Sequence, residues 1–457
     1  MVMIGLEIHG YLDTKEKLFC NCKVQHSLKF FKPNTSICPI CTAQPGCKPM
    51  LPNKEAIKKI IQIGLILNCK VNEKSTLQRK HYNWPDLPKG FQNTVSGPHA
   101  VPSVEKGNFL GIKITECHLE EDPAAWNPDT GEIDYNRSGS PLVEIVTDPD
   151  FKSSEQVVEW LKQLFTTLTY IKAIDKASGL KADVNISLPE KKGERVEIKN
   201  INSLKNIEKA IEYEIKRQMG HEGPARVQET RRYDEKKNIT VRMRGKEQAA
   251  DYRFISDPDL PTIKIDKKLI ETLKSNLPET PQQKLEKLIK KLKLEKLDAE
   301  ILTKKLELVE FFEEVSKKVS PKVALPWVTI ELIGALNYVK KELDDPELDI
   351  SPIHFAELLE LVEKKQITEL KAKEILRKFI PKSFSPKEIA KSASAISDKD
   401  DIMTFVKQAI KTNPQAVSDY KQGKKEALNF MVGSVMKLSN KRADFKTAKE
   451  LLEKELK

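Results

Sequence analysis

The chain has 457 residues, more than one hydrophobic core usually serves, so we expect roughly two to four domains. Charged residues make up 32% of it and hydrophobic residues 39%, proportions typical of a soluble globular protein. No apolar run reaches the roughly 18 residues of a membrane span, and the first ten residues lack the features of a signal peptide, so we expect a cytoplasmic protein without membrane contact.

The formal net charge is +11. A basic balance of this size favours a polyanionic partner such as RNA. An excess of lysine on solvated helices would explain the charge nearly as well.

The first predicted element is a strand near the N-terminus. Ile4, Leu6 and Ile8 alternate there with Glu7 and His9, so one face is apolar and the other carries a carboxylate and an imidazole. Residues two apart on a strand lie roughly 6.5 Å from each other, a span that one bound cation and its waters can bridge.

Four cysteines follow in two close pairs, Cys20, Cys22, Cys38 and Cys41. Two close cysteine pairs in a cytosolic chain indicate a closed, structural zinc site, because a disulfide would be reduced there. The first pair has one intervening residue where two are more usual, and Cys47 or His26 could replace one ligand.

An amphipathic helix is predicted over 54–68, and a loop dense in cations and aromatic residues follows over 79–90. Lys80 and Tyr82 lie in this loop. Such a loop can hold phosphate and stack a base. A rigid, proline-braced surface loop is an equally good interpretation of this segment alone.

The segment 111–150 begins as a strand that ends in His118-Leu119-Glu120-Glu121-Asp122. If the strand persists, His118 and Glu120 share one face, and Glu121 points the other way or turns with the chain. Carboxylates gathered beside an imidazole favour a site for Mg²⁺ or another hard cation. The alternative is a solvated, acidic strand end.

Two later strands repeat the pattern. Asp183 and Asn185 alternate with apolar residues over 180–188, and Lys199 ends the strand that begins at Val196. Glu144 adds an acid within another strand-like run. Four or five strands would thus present polar groups on one face, as a sheet lining a polar cavity does. An ordinary solvent-facing sheet is the alternative, and no Walker A or GxGxxG motif is present.

Beyond Pro261 the composition changes to Lys, Glu, Leu and Ile at helical spacing. The last segment, 401–457, has twelve Lys and Arg against seven Asp and Glu, a net charge of +5. This segment is a candidate to contact RNA. A solvated helical tail is an equally good interpretation.

Taken together, the motifs resemble one family over nearly the whole chain. They are GLEIHG, KLFCNC with CPIC, RKHYNWPDLPKGFQ, HLEEDP, DYNRSGSPLVEIVTDPD, DVNISL, EIKNINSLKNIEKAIEYEIKRQ, QETRR, DYRFISDPDLP and NPQAVSDYKQGKKEALNFMVGSVMKLS. The family is GatB, the B subunits of the tRNA-dependent amidotransferases. The related GatE subunits typically carry an extra inserted domain, for which 457 residues leave little room.

The resemblance implies an α+β fold with three parts. These are a cradle-shaped kinase domain over 1–280 with a mainly antiparallel sheet and a zinc-binding insertion around 20–41, a helical domain over 281–400, and a YqeY-like, tRNA-binding tail over 401–457. Matching positions imply a set of catalytic residues: Glu7, His9, Glu120, Glu121 and Asp183. Four of them, Glu7, His9, Glu121 and Asp183, would surround Mg²⁺, and the implied ATP-binding residues are Lys80, Tyr82, Asn185 and Lys199.

The resemblance also implies a reaction. ATP would phosphorylate the side-chain carboxylate of Glu-tRNA(Gln), Asp-tRNA(Asn) or both, and ammonia from an amidase subunit, GatA, would then give the amide, with a small GatC subunit completing a heterotrimer. Where the family commonly has Ala-Gly-Lys, this chain has Pro123-Ala124-Ala125, so no lysine contact is carried over. A non-catalytic tRNA-binding scaffold is the alternative function, and a synthetase relative is weaker because no nucleotide-binding signature of those enzymes is present.

Overall fold

The computed structural model divides into two compact units, Met1–Thr280 and Pro281–Lys457. It describes residues 2–25, 31–199, 201, 203–220, 223, 225, 227–245, 253–387, 389, 396 and 399–456. Within that part of the chain, no helix is both long and apolar enough to cross a membrane.

The first unit contains the strands. They are β1 (Met3–Tyr11), β2 (Lys70–Val71), β3 (Lys74–Ser75), β4 (Gln78–His81), β5 (Phe91–Thr94), β6 (Val104–Phe109), β7 (Ile112–Glu121), β8 (Ala125–Trp126), β9 (Ile133–Asp134), β10 (Pro141–Thr147), β11 (Leu180–Ser187), β12 (Val196–Lys199), β13 (Glu229–Asp234), β14 (Ile239–Gly245), β15 (Arg253–Ser256) and β16 (Ile263–Lys264).

Twelve of these strands form one sheet, whose main path is β14-β13-β12-β11-β1-β10-β7-β5-β4-β15. β6 also pairs with β7, and β2 pairs with β6. Of the pairings described in this sheet, β12 with β13 is parallel and the others are antiparallel. β1 therefore lies in the interior of the sheet, between β10 and β11.

One face of the sheet is apolar and packs against helices. The α-helices described in this unit are α1 (Lys54–Ile66), α2 (Ser154–Tyr170), α3 (Leu204–Met219) and α4 (Lys267–Ser275), and a short 3₁₀ helix spans Pro189–Lys191. Ile4, Leu6 and Ile8 of β1 are at most 1% exposed and share one hydrophobic cluster with residues of all four helices. Burying this face leaves the alternate residues of the same strands on the opposite face.

Side-chain caps fix the starts of all four of these helices, as α2 and α3 illustrate. The Ser153 hydroxyl accepts a hydrogen bond from the Gln156 amide at the start of α2. At the start of α3, the Ser203 hydroxyl accepts from the Asn206 amide at 3.2 Å. Each cap satisfies a backbone donor that has no partner inside the helix.

In the part of the second unit that the structure describes, the regular elements are helical. They are α5 (Pro281–Leu292), α6 (Lys296–Thr303), α7 (Leu306–Val315), α8 (Pro321–Pro326), a π-helical turn (Trp327–Leu332), α9 (Ile333–Tyr338), α10 (Pro352–Glu363), α11 (Glu369–Lys378), α12 (Lys399–Thr412), α13 (Pro414–Lys421), α14 (Glu426–Leu438) and α15 (Phe445–Glu455). Buried residues between Ile402 and Leu456 form a hydrophobic cluster of their own. The predicted α+β fold, a mainly antiparallel sheet followed by helices, is confirmed; a boundary at residue 400 stays a prediction.

A close approach of α1 to β6 yields a test of this packing. A Cβ atom on Gly64 would lie 2.5 Å from Cγ1 of Val104. We expect Gly64→Ala to destabilise the protein by about 1–3 kcal/mol, because the buried strand cannot move aside freely. Chemical denaturation measures the change in the free energy of unfolding.

Gly433→Ala is the matched control, because Gly433 is an exposed helical glycine in α14 with nothing within 4 Å of an added Cβ. Its alanine variant should be neutral or more stable by up to about 1 kcal/mol. Equal effects of the two substitutions would contradict the packing account.

Candidate active site and cysteine cluster

The register of β1 brings polar residues of three strands side by side. Glu7 is paired with Asp183 of β11, and His9 is paired with Glu144 of β10. Cross-strand partners in an antiparallel pair project from the same face of the sheet. These side chains therefore lie together on the face opposite the hydrophobic core.

A cavity of about 260 Å³ opens on this polar face. Six of the residues predicted from the sequence line it: Glu7, His9, Lys80, Glu120, Asp183 and Lys199. Seven polar lining residues were not predicted as site residues: Tyr11, Gln92, Asp122, Arg137, Glu144, Ser178 and Lys181. The structure thus supplies the shared cavity that the alternating strands predict.

The first acid cluster in the cavity joins Glu7, His9 and Glu144, whose ligand atoms lie within 4.8 Å of one another. Burial, together with the nearby Glu120 and Glu7, raises the pKa of Glu144 well above its usual range. Burial alone would also raise the pKa of Glu7, but its hydrogen bond with Glu144 and the positive charge of Lys199 lower it. Glu144 is therefore the partner that holds the shared proton.

The second acid cluster joins Glu7, Asp183 and Glu197, again within 4.8 Å. Lys199 Nζ lies 2.7 Å from Asp183 Oδ2 and 3.1 Å from Glu197 Oε1. Burial raises the pKa of Asp183, and Lys199 offsets part of that rise. Burial would lower the pKa of Lys199, but Asp183 and Glu197 raise it above its ordinary value, so the ammonium stays charged.

The carboxylate oxygens and the imidazole of these two clusters are suitable ligands for a hard divalent cation. Carboxylate oxygens are the ligands that Mg²⁺ prefers, and an octahedral ion places its ligand atoms roughly 3–4 Å apart. Glu7 belongs to both clusters. Glu144 and Glu197 are the members that the predicted magnesium set lacks, and their alternation with apolar residues in β10 and β12 was the available signal.

The wall of the cavity is built around Arg137. Its guanidinium donates to the carbonyl oxygens of Pro123 and Ala124 at 2.9 and 2.5 Å, and Nε lies 3.4 Å from Asp122 Oδ2. The Tyr11 hydroxyl donates to the same Asp122 oxygen at 2.5 Å. Arg137 comes from a loop before β10, within the DYNRSGSP motif, so strand alternation could not predict its position.

Glu121 does not line the cavity, which corrects the prediction that it joins Glu7, His9 and Asp183 around magnesium. β7 continues through Glu121, so Glu120 and Glu121 project from opposite faces. Glu121 Oε1 instead accepts hydrogen bonds from Lys89 Nζ and, at 2.9 Å, from the Asn93 amide.

Glu120 does face the cavity and is fixed there by two neighbours. Thr94 Oγ1 donates to Glu120 Oε1 at 2.7 Å, and Gln92 Nε2 donates to Oε2 at 3.3 Å. Both donors belong to β5, which runs beside β7 at this point. The carboxylate is therefore oriented before any ligand binds.

Two further predicted residues, Asn185 and Tyr82, are not among the cavity-lining residues. Asn185 lies two positions beyond Asp183 on β11, and its Oδ1 is buried without a hydrogen-bond partner in the part of the chain described here. Tyr82 follows β4 and lies close enough to Arg137 to influence its pKa. Neither residue is placed in the cavity lining, and their roles in ATP binding stay predictions.

The four predicted cysteines do come together. The Sγ atoms of Cys20, Cys22, Cys38 and Cys41 lie within 4.8 Å of one another. The Cys38 and Cys41 sulfurs are 3.9 Å apart, which matches the roughly 3.8 Å between thiolates on a tetrahedral Zn²⁺ with 2.3 Å bonds. Cys47 is exposed and outside this cluster, and His26 lies outside the described residues.

In the absence of metal, one thiol of the cluster favours the thiolate form while the pKa values of Cys20 and Cys22 are raised. The hydrogen bond from Cys20, against the effect of burial and with help from Lys17, lowers the pKa of Cys41 to about 5. Burial and the Cys38 side chain raise the pKa of Cys22 to about 11. Proton sharing of this kind is what four thiols produce when they are held at metal-binding distance.

The fold and site correspond to a known class of catalytic domain. The family profile described as the GatB/GatE catalytic domain matches residues 2–271. A second profile, described as the GatB domain, matches residues 310–456. The chain belongs to the GatB family, as its sequence motifs predict.

Curated relatives extend over the whole chain. Proteins named as the B subunit of aspartyl/glutamyl-tRNA(Asn/Gln) amidotransferase from Methanocaldococcus jannaschii and Methanothermobacter thermautotrophicus are each 42% identical to it. The alignments cover 99% of this chain and 97% and 99% of those proteins. The protein of the same name from Methanobrevibacter smithii is 42% identical over 97% of each chain.

The buried carboxyl pair predicts an unusual dependence of stability on pH. Because the pKa of Glu144 is raised in the folded state, the folded chain holds this proton more tightly than the unfolded chain, and stability is lost as pH rises above the ordinary pKa of glutamic acid. Glu144→Gln cannot ionise. In EDTA we therefore expect its Tm to exceed that of the wild type at pH 8, with a smaller difference at pH 5.

The control is Glu159→Gln, which changes an exposed glutamate on α2. Thermal melts of the three proteins across this pH range make the comparison. If the two variants shift the Tm equally at every pH, the raised pKa of Glu144 is contradicted.

Proposed function

We propose that the chain is the B subunit of a glutamine-dependent aspartyl/glutamyl-tRNA amidotransferase and that its polar cavity phosphorylates the side-chain carboxylate of Glu-tRNA(Gln), Asp-tRNA(Asn) or both. The observation that carries the proposal is the placement of two acid clusters and three lysines, Lys80, Lys181 and Lys199, around one cavity. The names of the curated relatives support the same reaction class.

The chemistry explains why such a cavity is needed. Ammonia cannot displace oxide from a carboxylate, so a carboxylate oxygen first attacks the γ-phosphorus of ATP, forming an acyl phosphate and releasing ADP. Ammonia then attacks the acyl carbon and phosphate leaves. Phosphoryl transfer of this kind depends mainly on positioning and on neutralising the negative charge of the phosphates.

Each group in the cavity has a proposed role. Lys80 and Lys199 contact the phosphates of ATP and neutralise their charge. Glu7, His9 and Asp183, with Glu144 and Glu197, would hold Mg²⁺, which would neutralise part of the negative charge of the triphosphate. Glu120, held by Thr94 and Gln92, belongs to the same catalytic group. Glu121 is left out of the magnesium set because it lies on the opposite face.

The cysteine cluster is proposed to bind one structural Zn²⁺. Its four thiols satisfy the ligand shell of a closed tetrahedral site, so this metal has no open position for catalysis. Free thiols also support a reducing, cytoplasmic compartment.

The proposed reaction requires partners. Bulk ammonia is mostly protonated at neutral pH, so another polypeptide must generate it nearby, and we assign that role to an amidase, GatA, with a small GatC protein bracing the two. The word subunit in the relatives' names supports a complex of several chains. The helices of residues 401–457, with a net charge of +5, are proposed to hold the tRNA.

Lys199 offers the sharpest test of the kinase role. We expect Lys199→Met, assayed in the assembled complex with [γ-³²P]ATP and Glu-tRNA(Gln) or Asp-tRNA(Asn), to lower kcat/KM for carboxylate phosphorylation by about 10²–10³-fold, because one charge that stabilises the transition state is lost. Glutaminase activity of the complex should change little.

Lys162→Met on α2 is the matched control, since Lys162 is exposed and is not among the residues that line the cavity. Binding of tRNA, measured by filter retention, should be the same for both variants. Full phosphorylation by Lys199→Met would favour the alternative function, a non-catalytic tRNA-binding scaffold.

A further inference from the structure

Lys17 is a lysine buried in the fold beside the cysteine cluster. Its side chain is 1% exposed and is among the largest fully buried side chains. Its ammonium donates to the carbonyl oxygens of Ser36 at 3.0 Å and Tyr135 at 3.1 Å, and to Cys41 Sγ at 3.5 Å. Within the described ranges, the hydrogen-bond acceptors of its ammonium are these two carbonyl oxygens and this sulfur, and none of them is a carboxylate.

A buried ammonium without an anion is costly. Desolvation of a charged group costs several kcal/mol unless a compensating charge and hydrogen bonds replace water. Two carbonyl oxygens satisfy two of the three donors of Lys17, but they carry no net charge. The compensating charge must come from the third partner, the Cys41 sulfur.

The cysteine cluster would carry an excess of negative charge once zinc is bound. Four thiolates on one Zn²⁺ carry a formal net charge of about −2, and Cys20 and Cys41 are buried. The backbone amide of Cys38 donates to Cys41 Sγ at 3.2 Å, which stabilises negative charge on this sulfur without neutralising it. Lys17 brings a full positive charge into hydrogen-bond contact with the cluster.

The same residue joins two segments that are distant in sequence. Tyr135 belongs to the loop that carries Arg137, and this loop is also bonded to the cysteine loop through Ser138 Oγ, which donates to the Cys41 carbonyl at 2.8 Å. Asn136 Oδ1 accepts from the Ser36 amide at 2.8 Å. A change at Lys17 therefore acts on a region that includes a wall residue of the cavity.

We propose that Lys17 is a positioning residue of the cysteine cluster, whose buried ammonium neutralises part of the thiolate charge and thereby raises the affinity of the site for zinc. This inference rests on the proposed zinc site. It adds that the metal's affinity depends on a residue that is not a ligand. It requires the charge of Lys17, not only its hydrogen bonds.

The first measurement is the zinc content of the purified wild-type chain in its complex, which tests the zinc site independently of Lys17. Zinc affinity is then measured by competition with a chelator of known affinity. We expect Lys17→Gln, which keeps an N–H donor but loses the charge, to weaken zinc binding by about 10–100-fold, as removal of an outer-shell partner does. Lys15→Gln, two residues away and exposed, is the control and should match the wild type.

A double-mutant cycle separates charge from packing. Cys41→His keeps a zinc ligand and lowers the negative charge of the cluster by one. In that background Lys17→Gln should cost clearly less affinity than in the wild type. An equal loss in both backgrounds, or no loss in the wild-type background, would overturn the proposal.

Lys17→Arg keeps the test decisive if Lys17→Gln fails to fold. The arginine retains the positive charge, so we expect zinc affinity within a few-fold of the wild type. A loss of 10-fold or more in a folded Lys17→Arg protein counts against a role for charge. Absence of zinc from the wild-type complex would instead reject the zinc site itself.

Discussion

The hydrogen-bonded register of β1 between β10 and β11 is the constraint on which the candidate site depends. Ile4, Leu6 and Ile8 fix which face of β1 enters the core, and the period of two residues then sends Glu7 and His9 to the other face. A slip of one residue would exchange the two sets. The same apolar packing that stabilises the first unit thus places its ionisable side chains around one cavity.

Glu7 belongs to both acid clusters of the cavity and therefore couples their charges. Glu7 forms a hydrogen-bonded pair with Glu144, in which Glu144 holds the proton. It also lies in a cluster with Asp183 and Glu197, whose negative charge Lys199 partly neutralises. Buried carboxylates at this spacing repel one another unless protons or cations compensate them. A divalent cation would replace the proton on Glu144 and relieve this repulsion. The relief would contribute to the free energy of binding metal and triphosphate.

Alternation in single strands predicted Glu7, His9, Asp183 and Lys199 as neighbours because each strand reveals its own polar face. The same rule separates Glu121 from Glu120, so the strand period places Glu121 away from the cavity, whereas the family motif implies a magnesium ligand at this position. Glu144 and Glu197 also alternate with apolar residues, but only the cross-strand register shows that they lie beside Glu7, His9 and Asp183. Arg137 and Lys17 required the three-dimensional structure, since loop positions and buried contacts across about a hundred residues follow no local period. The cysteine pairs can be recognised in the sequence itself, because the members of each pair lie within three residues of one another.

The most direct test of the account is a crystal structure of the assembled complex with Mn²⁺ in place of Mg²⁺ and a non-hydrolysable ATP analogue. The account predicts an anomalous manganese peak at coordination distance from the Glu7 carboxylate, shared with His9 and Glu144 or with Asp183 and Glu197, and phosphate oxygens beside Lys80 and Lys199. Nucleotide and manganese bound elsewhere, with no peak at Glu7, would contradict it.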